Sequence, residues 1–222
     1  MINDVKHPAP ALDLKPSETY ESAAPRAKIL LLACGALGRE IVALTQTPGE
    51  PLFAIQCLPA KWHNTPDLIV PALREKIREN RPLYKKLYVA YGDCGTGGLL
   101  DAMLAEEGVE RIEGPHCYAF FTGNAAFSAT EDDDFGSFYL TDYLARHFDK
   151  LVWEGLGLHK HPELLSDYFG NYKKVIYLAQ TDDAGLRAKA EAGAKKLGLA
   201  YEHRFTGYGE LRSEIERLAK AP

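Results

Sequence analysis

The sequence of 222 residues has no apolar run that approaches the roughly 18–20 residues needed to cross a bilayer. It also has no basic surplus, since the net charge is −5 and the pI about 5.8. This charge speaks against general affinity for nucleic acid. No basic segment followed by an apolar stretch marks a signal peptide at the N-terminus. These absences predict a soluble, cytoplasmic protein that binds neither membranes nor nucleic acid.

Cysteine is scarce, with four residues in the chain, and no CxxC pair occurs among them. Without an export signal, the expectation is reduced thiols or metal ligands rather than a disulfide framework. The GxGxxG dinucleotide pattern and the GxxxxGK[ST] phosphate loop are also missing. The sequence therefore offers no strong motif for a nucleotide cofactor.

Two parts of the chain differ in pattern. Residues 1–27 contain several prolines and show no apolar periodicity, which predicts a flexible N-terminal arm. Residues 28–222 are long enough for one α/β domain with a buried core.

In residues 28–222, short apolar runs alternate with helical spacing. The pattern predicts strands at 29–33, 53–57, 86–91, 110–112, 137–140, 174–179 and 201–205. It predicts helices at 36–45, 67–79, 99–107, from 116 onward, and at 141–148, 182–197 and 208–219. Such alternation builds right-handed βαβ units and parallel sheets. We therefore expect an open doubly wound, mainly parallel sheet with helices on both faces, Rossmann-like or flavodoxin-like. The pattern does not determine the strand order.

All four cysteines follow the carboxyl ends of predicted strands closely. They are Cys34, Cys57, Cys94 and Cys117. The carboxyl ends of parallel strands share one edge of a sheet, and ligands bind in the crevice outside it. We therefore expect Cys34, Cys94 and Cys117 to lie close together. Three of the cysteines also precede helices, whose N-terminal dipole favours a thiolate.

Histidine accompanies these cysteines in one predicted loop. His63 lies between Pro59 and Pro66, in the loop that leaves the second strand on the cysteine edge. Three cysteines with one histidine are a common zinc set, although the spacing here is long. Cys94 and His63 are also the candidates for a catalytic nucleophile and a general base. His116 adjoins Cys117, but neighbouring side chains diverge.

The turn from Gly92 to Gly98 has two interpretations. Gly92, Gly95 and Gly97 are candidates for holding a cofactor phosphate, because glycine lets backbone N–H groups approach an anion. Alternatively, these glycines shape the backbone around Cys94, which is the interpretation we favour because no lysine is placed to reach a phosphate.

Four blocks in order resemble the domain-of-unknown-function family numbered 1638. They are Cys34-Gly35, Leu58-Pro59 with His63-Asn64, Tyr91-Gly92-Asp93-Cys94-Gly95, and His116-Cys117. The family pattern has one residue between this last His and Cys, and Cys57 falls outside the blocks. The resemblance covers residues 29–218. It implies a shared site of Cys34, His63, Cys94 and Cys117, and a setting beside corrinoid-dependent methyltransferases.

Three functions follow as hypotheses. The first is a metal-thiolate protein, with zinc or iron, that has an accessory or catalytic role in corrinoid-linked one-carbon transfer. The second is a cysteine-based thiol or redox enzyme. The third is a non-enzymatic partner or chaperone of a corrinoid methyltransferase or a methionine-synthase-like protein, where the corrinoid belongs to the partner.

Overall fold

The structure is a computed structural model that describes residues 12–24, 26–46, 51–130 and 132–220. The strands in these ranges are β1 (Tyr20–Glu21), β2 (Ile29–Cys34), β3 (Phe53–Leu58), β4 (Lys86–Ala90), β5 (Glu110–Arg111), β6 (Ser137–Leu140), β7 (Lys174–Ala179) and β8 (Ala200–Phe205). The α-helices are α1 (Gly38–Thr45), α2 (Ile69–Asn80), α3 (Leu99–Glu107), α4 (Cys117–Thr122), α5 (Asn124–Ala129), α6 (Asp142–Arg146), α7 (Leu165–Phe169), α8 (Ala184–Leu197) and α9 (Gly209–Lys220).

The predicted α/β class, with mainly parallel strands and helices around them, is confirmed. Strand β2 is buried at all six positions, as expected of a strand covered on both faces. Helix α8 begins where the side chain of Asp183 accepts hydrogen bonds from the amides of Gly185 and Leu186, and it ends at Gly198 with φ +73°. Apolar runs and capping residues in the sequence therefore account for the bounds of strands and helices such as β2 and α8.

The first sheet has the strand order β1-β3-β2-β4-β5. Strands β3, β2, β4 and β5 pair in parallel, whereas β1 pairs with β3 in antiparallel fashion. The chain moves from β2 to β3 on one side, and then back past β2 to β4 on the other side. The strand order thus reverses between β2 and β4, and such a reversal opens a crevice at the carboxyl ends of the strands.

The other parallel strands form a second sheet in the order β6-β7-β8. One continuous sheet was expected, so this part of the prediction needs correction. Strand β5 pairs with β4 through only two residues, and the chain then continues into two helices before β6 begins. A single hydrophobic cluster nevertheless includes residues of both sheets.

Residues 12–24, which belong to the predicted flexible arm, pack against the first sheet. Tyr20 and Glu21 pair with β3, and the Ser22 hydroxyl oxygen accepts a hydrogen bond from the amide of Ile55 at 2.8 Å. Leu14 is buried against the core. The arm prediction is therefore corrected for these residues, because an edge strand two residues long carries too little periodicity to be seen in a sequence. Residues 1–11 lie outside the described part of the chain.

Among the described residues, no helix is long and apolar enough to cross a membrane.

Substitution Leu14→Ala tests whether the arm contributes to stability. Leu14 is 8% exposed, so we expect the free energy of unfolding in urea to fall by about 2 kcal/mol, the lower end for a buried leucine. Leu83→Ala is the matched control, because Leu83 is 70% exposed and its replacement should change stability by less than about 0.5 kcal/mol. Equal stability of the two variants would contradict the docked arm.

Candidate functional site

The cysteines lie at the carboxyl edge of the first sheet, as the sequence predicts. Cys34 is the last residue of β2, Cys57 is the penultimate residue of β3, Cys94 lies in the turn after β4, and Cys117 is the first residue of α4. Cys34 and Cys94 therefore follow the two neighbouring strands between which the strand order reverses.

Cys34 and His63 are brought together by a close approach of two backbone segments. A Cβ atom on Gly35 would lie only 3.0 Å from the Leu58 carbonyl oxygen, so the turn after β2 fits against the segment after β3 because residue 35 is glycine. That segment continues as a 3₁₀ turn over Ala60–Asn64. Within it, His63 Nδ1 lies 3.8 Å from Cys34 Sγ and 3.1 Å from the Ala60 carbonyl oxygen. Since a carbonyl oxygen only accepts, Nδ1 carries the proton.

A second close approach of two backbone segments, again at a glycine, brings Cys117 to Cys94. A Cβ atom on Gly92 would lie 2.9 Å from His116 Cα and 3.1 Å from the amide nitrogen of Cys117, so no larger residue fits there without a shift. The amide of Cys94 donates to the Pro115 carbonyl oxygen at 3.4 Å across the same contact. Cys117 then lies close enough to Cys94 for each side chain to shift the pKa of the other.

Cys94 has an unusual backbone conformation. Its φ is +48°, and among the described residues it alone has a positive φ without being glycine. Residues held in this region cost conformational energy and are found most often at functional sites. The turn is stabilised by Asp93, whose carboxylate accepts from the Thr96 hydroxyl at 2.7 Å and from the amide of Gly98 at 2.8 Å.

The glycines of this turn were candidates for a phosphate-binding loop. The amides of Gly97 and Gly98 are instead engaged by the Asp93 carboxylate, at 3.1 Å and 2.8 Å. Gly95 supplies a left-handed conformation with φ +85°, and Gly92 makes room for the segment before α4. These contacts support the second interpretation, in which the glycines shape the backbone around Cys94.

Hydrogen bonds and burial shift the pKa values of the site's side chains in different directions. The hydrogen bond from Cys117 and the interactions with His63 together lower the pKa of Cys94 to about 4, against the opposing effect of burial. Burial alone would lower the pKa of His63, but its interactions with the sulfurs of Cys34 and Cys94 raise that pKa well above the usual value. The hydrogen bond to Cys94, together with burial, raises the pKa of Cys117. These shifts favour a thiolate on Cys94, a thiol on Cys117 and a protonated imidazole on His63.

Two tyrosine hydroxyls that the sequence did not single out lie beside Cys34. Tyr91 directly follows β4, and Tyr143 belongs to α6. Both hydroxyls are buried and have no hydrogen-bond partner among the described residues. Burial, together with the nearby sulfur of Cys34, raises the pKa of each phenol. Tyr91 precedes the Gly92-Asp93-Cys94 turn, which is a usable sequence signal, whereas Tyr143 comes from a distant segment and has none.

Cys57 is separate in chemical character from the other three cysteines. Its sulfur would lie 3.2 Å from a Cβ atom on Gly38, so it packs beneath α1 in the core. Burial raises its pKa, so the thiol keeps its proton. The fourth cysteine is therefore a small core residue, although it too lies near the carboxyl end of a strand.

Two other histidines among the described residues make contacts outside this cluster. His116 is exposed and its ring lies 6.1 Å from that of Tyr118, although its neighbour Cys117 is in the site. His161 pairs with Glu163 on the surface. The cluster therefore contains one histidine, His63, among the described residues.

The donor atoms of the cluster are not arranged as a formed metal site. In the described part of the chain, no group of three or more His, Cys, Asp or Glu side chains is placed to hold a metal ion. The residues do supply sulfur and nitrogen donors of the kind that zinc prefers, and the buried Tyr91 hydroxyl beside Cys34 has an unfilled hydrogen-bonding capacity.

The fold and the site define an α/β protein with parallel sheets and a cysteine–histidine cluster at a strand-order reversal. The chain belongs to the family described as Protein of unknown function (DUF1638), whose match covers residues 57–215. This range contains His63, Cys94 and Cys117, whereas Cys34 lies before it. No curated protein and no solved structure matches the chain.

The ultraviolet absorbance of thiolates tests the charge on Cys94. Because the pKa of Cys94 is lowered to about 4, we expect the thiolate signal to persist as the pH falls from about 8 to about 6, and to disappear on unfolding at the lower pH, where a free thiol is protonated. Cys94→Ser should remove the signal. Cys57→Ser should retain it, because burial keeps that thiol protonated. A signal that survives Cys94→Ser would assign the thiolate to another residue.

Proposed function

We propose that this protein is a metal-thiolate protein in which Cys34, His63, Cys94 and Cys117 bind one zinc ion. The observation that carries the proposal is that three sulfurs and one imidazole, supplied by four separate segments, converge where the strand order reverses. Iron is the second metal that this donor set would accept.

The surroundings of these donors support the proposal. A ligating histidine commonly donates its other ring N–H to a carbonyl, and His63 Nδ1 already faces the Ala60 carbonyl oxygen at 3.1 Å. That leaves Nε2 as the nitrogen available to a metal, after the loss of the proton that the raised pKa of His63 keeps on the ring. The Cys34 sulfur also accepts from the amide of Ala36 at 3.4 Å, which is the kind of contact that stabilises an anionic sulfur at the start of a helical turn. Binding requires the donors to move closer together than they lie in this structure.

Cys94 and Tyr91 have distinct roles in this proposal. A bound zinc ion would act as a Lewis acid and lower the pKa of a coordinated thiol or water. Cys94 enters the site already as a thiolate, so it needs no proton loss on binding. Tyr91 is placed to donate a hydrogen bond to the Cys34 sulfur or to a ligand beside it.

The biological setting of the proposal rests on the family resemblance. A thiol activated by a metal is a methyl acceptor, which fits an accessory or catalytic role in corrinoid-linked methyl transfer. A corrinoid methyltransferase is then the proposed partner, and the corrinoid stays on that partner. Mixing the purified chain with methylcorrinoid protein and a small thiol separates the roles: thiol methylation marks an enzyme, and complex formation alone marks a chaperone.

Metal analysis of protein purified without chelator tests the site. We expect about one equivalent of zinc or iron in the wild type, and less than about a fifth of that in Cys94→Ser and in His63→Ala, because each removes one of four ligands. Cys57→Ser is the matched control and should keep the wild-type metal content, since Cys57 packs in the core. Circular dichroism checks that the variants fold. Wild-type protein that takes up neither metal after incubation with excess would refute the proposal.

A second candidate is a cysteine-based thiol enzyme with Cys94 as the nucleophile. The observation in its favour is the strained backbone position of Cys94, where Cys117 and His63 lower the pKa of its thiol. Under this alternative the protein as purified is free of metal. Iodoacetamide should then modify Cys94 at least about tenfold faster than a free cysteine at about pH 6, where a free thiol is almost fully protonated.

Cys117→Ala separates the two candidates further. It removes the hydrogen bond that contributes most to lowering the pKa of Cys94, so under the second candidate the alkylation rate near neutral pH should fall. Under the metal proposal the same variant loses metal, and its Cys94 becomes more accessible to the reagent. A rate that rises together with metal loss therefore rejects the thiol-enzyme alternative.

A further inference from the structure

A cavity of about 340 Å³ lies between the end of α6 and one face of α8. This volume is at the small end of the range for sites that bind small molecules. Four of its lining residues carry a positive charge and one carries a negative charge: Arg146, Lys150, Lys189, Lys196 and Asp149. The chain as a whole has a net charge of −5, so the cationic lining is a local reversal of charge.

Two lining side chains are largely buried and have hydrogen-bonding capacity to spare. The side chain of Arg146 is only 14% exposed, and the nearest described carboxylate lies 3.6 Å away. His147 is similarly buried, and its Nε2 has no hydrogen-bond partner in the described part of the chain. A buried ring nitrogen left without a partner is costly, and the weakly paired guanidinium of Arg146 lies next to it.

The group facing both side chains is the carboxylate of Asp13, from the packed part of the N-terminal segment. Its Oδ1 atom lies 3.6 Å from Arg146 Nε and 3.4 Å from His147 Nε2. Both distances exceed those of a good charge-assisted hydrogen bond. Asp13 is half exposed, so this carboxylate reaches the site from the solvent side and can be displaced from it.

The lysines differ in how fully their charges are compensated. Lys150 pairs with Glu154 and Lys196 pairs with Asp149, each at 2.7 Å. Lys189, on the opposite wall, has no carboxylate within ion-pair distance among the described residues, and it lies near enough to act electrostatically on His147. The uncompensated charge thus lies on Lys189, opposite the weakly paired Arg146.

We propose that this cavity binds the phosphoryl group of a small-molecule ligand, and that Asp13 occupies the anion's position when the ligand is absent. Arg146 offers a planar pair of N–H donors, which suits a phosphate oxygen pair, and Lys189 supplies a point charge from the other wall. The Nε2 atom of His147 adds a third polar contact. The cavity is separate from the cysteine cluster, so this proposal is independent of metal binding.

Calorimetric titration with inorganic phosphate at constant ionic strength tests the proposal. We expect saturable binding to the wild type, about tenfold weaker binding to Lys189→Gln and to Arg146→Gln, and at least about threefold tighter binding to Asp13→Asn, which loses the competing negative charge. Lys195→Gln is the matched control, because Lys195 is an exposed lysine on the same helix that does not line the cavity. It should bind like the wild type.

Three outcomes would overturn the proposal. The first is a heat signal that does not saturate with phosphate. The second is an equal loss of phosphate affinity in Lys189→Gln and Lys195→Gln, since both changes remove the same net charge. The third is unchanged or weaker binding in Asp13→Asn. Lys189 is exposed, so its variant should fold normally and decide the question even where the largely buried Arg146 cannot be replaced without unfolding.

Discussion

Strand β2 pairs in parallel with β3 along one edge and with β4 along the other, and it is buried along its whole length. This central position forces the two following crossovers to opposite sides, because right-handed connections that move in opposite directions place their helices on opposite faces. The carboxyl end of β2 is therefore the place where the strand order reverses. Cys34 lies at this end, and the turn with Cys94 follows the neighbouring strand.

The sheet edge alone does not bring the cluster together. Two further segments must approach within backbone contact, and in both cases a glycine directly after a strand allows it: Gly35 beneath the segment that carries His63, and Gly92 beneath the segment that carries Cys117. The strained conformation of Cys94 is maintained by the hydrogen bonds of Asp93. These constraints hold three sulfurs and an imidazole together whether or not a metal joins them.

Helix α6 connects the two regions for which functions are proposed. Tyr143, in its first turn, has a buried hydroxyl without a hydrogen-bond partner among the described residues, and it lies near enough to Cys34 to interact with it electrostatically. Arg146, at its end, lines the cationic cavity together with the following His147. Helix α6 also joins the two sheets, since it packs on α8 and near the turn after β2.

The main strands and helices, and the sheet edge that carries the cysteines, could be predicted from the residue pattern. Apolar runs and helical spacing located the main strands and helices to within a few residues, because those patterns depend on burial along one short segment. The position of Cys34, Cys94 and Cys117 after strands followed from the rule that parallel strands share their carboxyl edge. The same rule could not separate Cys57, because whether a strand-end side chain points into the core or towards the crevice depends on the pleat and the packing of α1.

Other features could not be predicted, because they depend on the packing of distant segments. The docking of residues 12–24, the division into two sheets and the proximity of Tyr143 and Asp13 to distant residues all depend on contacts between segments far apart in the chain, which leave no local pattern. The pKa shifts of Cys94 and His63 likewise depend on contacts between distant segments. The pKa of Cys94 falls because folding places Cys117 and His63 next to its sulfur, and this effect outweighs the opposing effect of burial.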